Sequence, residues 1–335
     1  MTAPVLVALG LLMAAGCSSG GDHGSQSVPT TASSDSNASP TGGGQAGGSA
    51  GCGKPPAADL HGPAGRDDDV VRTITSSGQP RLYRLGVPRR SDNRKPQPLV
   101  LNFHGSGSSA AAQTIYSQFS RKAEARNYVV VAPDAIAGQW QLFPTDGSKG
   151  ADLAFVKAVL AEVSGQLCID QRRVFTTGIS LGSAMATDLA CTLLDQVAAV
   201  GNVAEEVVFP GCHRVLPVIA FHGTADPLVP YKEGDIAAGR PNSGLPGTEH
   251  NMAGWAQLNH CDPRPKVTDI GTEVVHSVWP GCRQGSAVEL YTVNGGGHTW
   301  PGSPIKVDFL GHTTDQVDAT TLILDFFDAH PLADR

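Results

Sequence analysis

Gly178-Ile179-Ser180-Leu181-Gly182 decides how this sequence folds. The run before it, Arg173-Val174-Phe175-Thr176-Thr177, reads as a strand, and Ser183 to Cys191 after it reads as a helix. A serine at such a strand-turn-helix corner is held in a strained conformation. Glycines two positions to either side remove side chains that would collide with the neighbouring strand and helix. The Ser180 hydroxyl would then leave the sheet edge at a helix N-terminus, where an oxyanion can be stabilised. The same pattern recurs at Gly16-Cys17-Ser18-Ser19-Gly20, but there an apolar leader precedes it and a Gly/Ser-rich tract follows. Context separates the two copies, so the rest of the chain must supply the partners of Ser180.

The chain has 335 residues, 40% of them hydrophobic and 16% charged, with a formal net charge of -7. That length suits one large α/β domain or two small ones. Neither a basic excess nor a Lys/Arg block is present, which argues against nucleic acid or an anionic membrane surface as partner.

Pro4 to Ala15 is an apolar stretch too short to span a bilayer, ending in Ala14-Ala15-Gly16-Cys17. This is the layout of a secretory signal over residues 1–17, and Cys17 stands where a bacterial lipobox places its lipid-modified cysteine. Two features depart from the lipobox. No Lys or Arg precedes the apolar run, which is compatible with a start codon upstream, and Ala14 occupies a position where leucine is usual. Ordinary secretion or an uncleaved anchor is the alternative. Residues 18–51 carry almost no large apolar side chain and read as a tether that cannot offset its ordering entropy by burial. The catalytic domain would then cover 52–335, with the membrane engaged only through the N-terminal lipid.

Setting Cys17 aside leaves Cys52, Cys168, Cys191, Cys212, Cys261 and Cys282. An even number in an exported chain suggests three disulfides, and six cysteines allow fifteen pairings. Loop length and neighbourhood favour Cys191 with Cys212 and Cys261 with Cys282, leaving Cys52 with Cys168; buried free thiols are the alternative. No CxxC is present to suggest zinc or thiol redox chemistry.

Val70 to Thr75 and Arg81 to Val87 alternate as two strands of an antiparallel edge. Pro98 to Phe103 is apolar in the manner of a buried parallel strand and ends in His104-Gly105-Ser106-Gly107, a turn whose backbone N–H groups can face a cavity. Ala110 to Arg126 reads as one helix capped by Ser108 or Ser109, Tyr128 to Ala132 as a strand, and Asp152 to Leu167 as a second helix. Val215 to Phe221 runs into His222-Gly223-Thr224-Ala225-Asp226-Pro227, and Ala287 to Val293 into Asn294-Gly295-Gly296-Gly297-His298. Val317 to Ala329 closes the chain as an amphipathic helix. Alternating strands and helices predict a mostly parallel sheet flanked by helices.

Ser180, Asp226 and His298 each follow a predicted strand, in the chain order of the α/β-hydrolase triad. Rival residues fit less well. His104 and His222 each precede a glycine and suit a turn-holding role, Asp134 breaks the chain order, and His312 has no strand before it. Trp300 and Trp140 are candidates for a substrate-lining wall, with core packing as the alternative. Trp255 and Trp279 are expected around the Cys261–Cys282 bridge.

Four stretches carry a family resemblance: Leu101 to Gly107, Gly178 to Gly182, His222 to Tyr231, and Gly295-Gly296-Gly297-His298-Thr299-Trp300-Pro301-Gly302. Together they resemble the polyhydroxybutyrate depolymerase and feruloyl esterase group, within the carbohydrate esterases that include feruloyl and acetylxylan esterases, and especially esterase lipoproteins of actinobacteria. The resemblance implies a single-domain α/β-hydrolase fold with no metal or organic cofactor. It makes Ser180 the nucleophile, Asp226 the triad acid and His298 the base. Leu181 with Ser106 or Gly105 is the expected oxyanion hole. One departure is that Ser183 follows Gly182 where the group often has a second glycine. The implied activity is hydrolysis of carboxylic esters, feruloyl, acetyl or hydroxyalkanoate, through an acyl-enzyme. An envelope acyltransferase, a serine peptidase on the same fold and a silent polysaccharide-binding lipoprotein are the rival readings.

Overall fold

The computed structural model describes residues 47–55, 57, 60–61, 69–142, 150–193, 196–233 and 246–333. The chain divides into two units, 1–43 and 44–335, and every described residue lies in the second. The expected signal, Cys17 and the tether as far as residue 46 lie outside the described residues.

Ten strands form one sheet: β1 (Val70–Ser76), β2 (Gln79–Gly86), β3 (Gln97–Phe103), β4 (Val129–Pro133), β5 (Ile169–Ile179), β6 (Val200–Val203), β7 (Val218–Gly223), β8 (Lys266–Ile270), β9 (Val274–Trp279) and β10 (Val288–Val293). Their spatial order is β1-β2-β4-β3-β5-β6-β7-β10-β9-β8. The run from β4 to β10 is parallel throughout, and antiparallel pairs finish both ends. This is the α/β-hydrolase fold.

The helices are α1 (Ala110–Ser117), α2 (Phe119–Glu124), α3 (Ala151–Gln166), α4 (Leu181–Thr192), α5 (Thr248–Leu258) and α6 (Ala319–Ala329). Because strand side chains alternate between faces, β3 sends Leu99, Leu101 and Phe103 into one apolar core and Val100 into the other. Phe155, Val156 and Val159 of α3, Met185 and Leu189 of α4, and Met252 and Trp255 of α5 fill the first core. The second takes Phe119 and Ala123 of α2 and Ile323, Leu324 and Phe327 of α6. Both faces of the central strands are covered, which is why β3, β4, β6 and β7 are buried at every position rather than at alternate ones.

The helix expected from Ala110 to Arg126 is two helices. Gln118 between them adopts a left-handed backbone, φ 53° and ψ 27°, which ends α1 and turns the chain into α2. Ser109 caps α1 by accepting from Ala112 N, and Asp134 Oδ1 accepts from Ala110 N at 3.1 Å. β6, α5, β8 and β9 went unread in the sequence. β6 has only four residues, and β8 is exposed along most of its length, so neither carries a strong period.

Residues 47–51, read as the end of the tether, are seated on the domain. Gly48 bridges to Asp170, and Gly51 approaches Leu167 so closely that a Cβ there would stand 2.2 Å from its carbonyl oxygen. Disulfides join Cys52 to Cys168, Cys191 to Cys212 and Cys261 to Cys282. Three such bridges suit a chain that matures outside the reducing cytosol.

Candidate active site

The chain runs from β3 outward to β4 on one side and returns to β5 on the other, so the exits of β3 and β5 meet at a topological switch point. Open α/β sheets bind ligands in the crevice at such a point. Ser180 stands there, at the end of β5 and directly before α4. Its φ of 57° and ψ of -129° lie in a region almost reserved for glycine, at a cost of about 1–3 kcal/mol. Its neighbours fix that geometry. Ser180 N donates to Val203 O at 2.8 Å, and its carbonyl accepts from Ser183 N at 2.8 Å and Ala184 N at 3.1 Å. A Cβ on Gly182 would stand 2.4 Å from the carbonyl oxygens of Phe103 and His104, and one on Gly178 would stand 2.4 Å from Gly182 O. The two glycines therefore let the start of α4 press against the end of β3. Ser183 donates its hydroxyl to Glu205 O at 2.5 Å and ties α4 to the loop after β6.

The turn after β3 lies against the serine, with the Cβ direction of Gly105 3.4 Å from Ser180 Cβ. His104 holds this turn. Its Nδ1 donates to Gly105 O at 2.8 Å while Nε2 accepts from Ala135 N at 3.0 Å, so the ring is neutral, and burial pushes its pKa down. Gly107 N donates to Gly138 O and Ser108 N to Gly105 O, whereas the N–H groups of Gly105 and Ser106 have no partner among the described residues. Leu181 opens α4, so its N–H has no intrahelical acceptor. The expected oxyanion donors thus lie on the two segments that flank Ser180.

Asp226 and His298 meet through the loops that follow β7 and β10. Ala225 N donates to Gly296 O at 2.9 Å, and His298 N is fixed by Leu310 O at 2.7 Å. His298 Nδ1 then reaches Asp226 Oδ2 at 2.7 Å, with both residues buried. Asp226 Oδ1 accepts from Leu228 N and Val229 N at 2.8 and 2.9 Å. Burial alone would raise the Asp226 pKa, but bonds from His222 and His298 hold it well below the usual carboxylate range.

Neither tryptophan forms an exposed wall. Trp300 is 1% exposed, donates Nε1 to Thr320 Oγ1 on α6 and meets Phe119 edge-on. Trp140 is also buried; it packs edge-on against Phe103 and donates to His104 O at 2.9 Å, so it supports the β3 turn from behind. Both rings take the core-packing alternative, because each indole N–H finds a partner inside the fold. Trp255 and Trp279 share one core with Cys261 and Cys282.

Glu205, Glu206 and Thr248 went unremarked in the sequence. Glu206 and Thr248 bond His222 beside Asp226. The signal for them was slight: two adjacent carboxylates separated by Ala204 alone from the short run Val200 to Val203. Among the described residues no group of three His, Cys, Asp or Glu side chains is placed to hold a metal ion.

No family model matches the chain. Feruloyl esterase B of Piromyces equi is 30% identical over 231 residues, which cover 64% of this chain and 42% of that protein. Feruloyl esterase D of Neurospora crassa is 27% identical over 266 residues, covering 75% of this chain and 82% of that one. Among solved structures, the acetyl xylan esterase from Aspergillus awamori superposes with a TM-score of 0.55 at 15% identity, over 78% of this chain and 99% of that chain. This last likeness speaks to the fold. By fold the chain is an α/β-hydrolase, and by sequence it is similar to feruloyl esterases, of the first of which it spans less than half the length.

Proposed function

We propose that this protein hydrolyses carboxylic esters through an acyl-enzyme on Ser180, with His298 as general base and Asp226 as its orienting acid. The observation that carries the reading is the buried 2.7 Å bond between His298 Nδ1 and Asp226 Oδ2, at the same sheet edge as a serine held in a strained elbow. With Nδ1 committed to Asp226, Nε2 is the nitrogen left to take the Ser180 proton as the hydroxyl attacks the ester carbonyl. The protonated ring returns that proton to the departing alcohol, and water releases the acyl group by the same route. N–H groups of Leu181 and of Ser106 or Gly105 would hold the tetrahedral oxyanion, each worth on the order of 3 kcal/mol of barrier. Feruloyl esters are the substrate class that the relatives' names support, with acetyl and hydroxyalkanoate esters beside them on motif resemblance. Export and a lipid on Cys17 complete the reading; the three disulfides support export.

The test is fluorophosphonate labelling of the purified protein with peptide mapping, alongside hydrolysis of short-chain aryl esters. Ser180 should carry the label, and Ser180→Ala should lower kcat by about 10⁴-fold or more while the circular dichroism stays unchanged. A folded Ser180→Ala protein that still turns over would overturn the assignment.

A further inference from the structure

We propose that His222 is a standing imidazolium cation beneath the Asp226–His298 pair, a positioning residue that keeps Asp226 ionised and aimed at His298. The inference follows from counting donors and acceptors around a ring that has no access to water. The His222 side chain is 0% exposed. Its Nδ1 faces both oxygens of Glu206, at 2.8 and 3.0 Å, and Thr248 Oγ1 at 2.9 Å. Its Nε2 faces Val229 O at 3.2 Å and Asp226 Oδ2 at 3.3 Å. Apart from the Thr248 hydroxyl, each of these atoms can only accept when the carboxylates are ionised. A neutral ring would therefore aim a lone pair either at the Glu206 carboxylate or at Asp226 and a carbonyl. The neutral ring with its proton on Nε2 could take the Thr248 hydroxyl at Nδ1, but the same lone pair would then face the Glu206 carboxylate at 2.8 Å, so only the doubly protonated ring serves both carboxylates. His104 is the internal contrast, since one of its nitrogens meets a true donor, Ala135 N, and that ring is neutral.

Every charged or titratable group packed around His222 fits this account. Glu206 comes from the loop after β6, and its neighbour Glu205 is pushed up to about 7 by burial and by Glu206. Tyr231 meets the ring edge-on and is tied to Thr292 of β10, with Glu249 of α5 close to its hydroxyl. His298 lies beyond Asp226. Burial works against a charge on His222, but the Glu206 carboxylate and the bonds to Asp226 and Glu206 hold its pKa well above the ordinary histidine value. Glu206, His222 and Asp226 then form a minus-plus-minus row. Asp226 Oδ2 is gripped from two sides, by His298 Nδ1 and His222 Nε2, and Oδ1 by two backbone N–H groups. The carboxylate cannot rotate, and this fixes the ring of His298.

The protonation state can be read without any substrate; its kinetic effect rests on the triad proposed above. In ¹⁵N-histidine spectra of the intact protein, the His222 ring, assigned by backbone-to-ring correlations in the parent itself and checked by its absence from a His222→Gln sample, should show both nitrogens protonated from pH 5 to pH 9. A single N–H on that ring at pH 8 would sink the proposal, even if the variant does not fold. His222→Gln leaves two carboxylates facing each other without a cation, so proton uptake by the Asp226–His298 pair should occur at higher pH. The acidic limb of kcat/KM for an aryl ester should rise by about one pH unit. The double variant His222→Gln/Glu206→Gln removes one charge of each sign, and its limb should return toward that of the parent. A residue that merely fills space would move neither limb, and unmoved limbs in folded variants overturn the positioning role. Absence of ester turnover in the parent would instead remove the esterase reading, and the spectrum alone would then decide the charge on His222.

Discussion

At the scale of single residues, the site balances strain and charge against neighbours that leave little room to relax. Gly182 shows it for strain. Alanine there would drive a Cβ to 2.4 Å from two backbone oxygens, so α4 would have to retreat from β3 and carry Ser180 with it. Gly182→Ala should cost more than about 2 kcal/mol in urea unfolding and abolish fluorophosphonate labelling. Glu205 shows it for charge. Its pKa is raised to about 7 by burial first and by Glu206 second, so the folded protein holds a proton that the unfolded chain releases near pH 4.5. The stability that proton brings is complete below pH 4.5 and is lost as pH climbs through 7. The neutral isostere in Glu205→Gln escapes that loss. It should match the parent at pH 5 and exceed it by about 2 kcal/mol at pH 8 in parallel urea titrations, and equal gains at both pH values would refute the account. The site was legible in the sequence only in part. Ser180, Asp226 and His298 each follow a strand that hydrophobic pattern reveals. Glu206 and His222 are joined only by the pairing of β6 with β7, which no local period announces.

At the scale of elements, hydrogen bonds at helix ends explain features that periodicity misses. The closing carbonyls of α3 all point at the N-terminal segment or its support. Gly51 N takes Ser164 O, Lys54 Nζ takes Gly165 O, Asn93 Nδ2 takes Gln166 O, and Ser49 Oγ takes Leu167 O, all within 2.7–2.8 Å. A helix end needs such partners, and here the end of a segment that looked like linker supplies two of the four, Ser49 and Gly51. Composition alone misplaced its boundary, because small polar residues serve equally in a tether and in a cap. The break between α1 and α2 is a second case. Ala110 to Arg126 has helical spacing throughout, yet Gln118 turns left-handed so that Ser117 Oγ can donate to Gln113 O and accept from Asn102 Nδ2 and Phe119 N. Glycine reaches that conformation without a Cβ penalty. Gln118→Gly should therefore leave the protein as stable as the parent or up to about 1 kcal/mol more so, whereas glycine inside α1 would cost that amount. Loss of stability on thermal unfolding of Gln118→Gly would mean that the side chain, not the backbone, sets the break.

At the scale of the molecule, the three disulfides divide their labour by the length of chain they close. Cys191–Cys212 and Cys261–Cys282 each close 21 residues within the α4–β10 half of the chain. Cys52–Cys168 closes 116 residues and fastens the N-terminal segment to the start of β5, across the first half of the sheet. In the chain-entropy account the denatured ensemble loses freedom as the logarithm of loop length. The long bridge is then worth about 5 kcal/mol and each short one about 3 kcal/mol. The long bridge also holds Ser49, Gly51 and Lys54 over the end of α3, so its removal frees those caps as well. Both effects have the same sign. Cys52→Ala/Cys168→Ala should thus be the least stable of the three paired variants in urea unfolding, by about 2 kcal/mol or more. Its effect should also be local at first. Amide exchange should quicken at Leu167 to Asp170 before it does in β7 or β10, because the caps fail ahead of the parallel core. Ester turnover by the folded fraction should persist, since Ser180, Asp226 and His298 sit at the opposite, C-terminal edge of the strands from Cys168. If a variant lacking one of the short bridges proves the least stable, loop closure does not govern these disulfides, and packing around Trp255 and Trp279 or at the end of α4 must carry their effect.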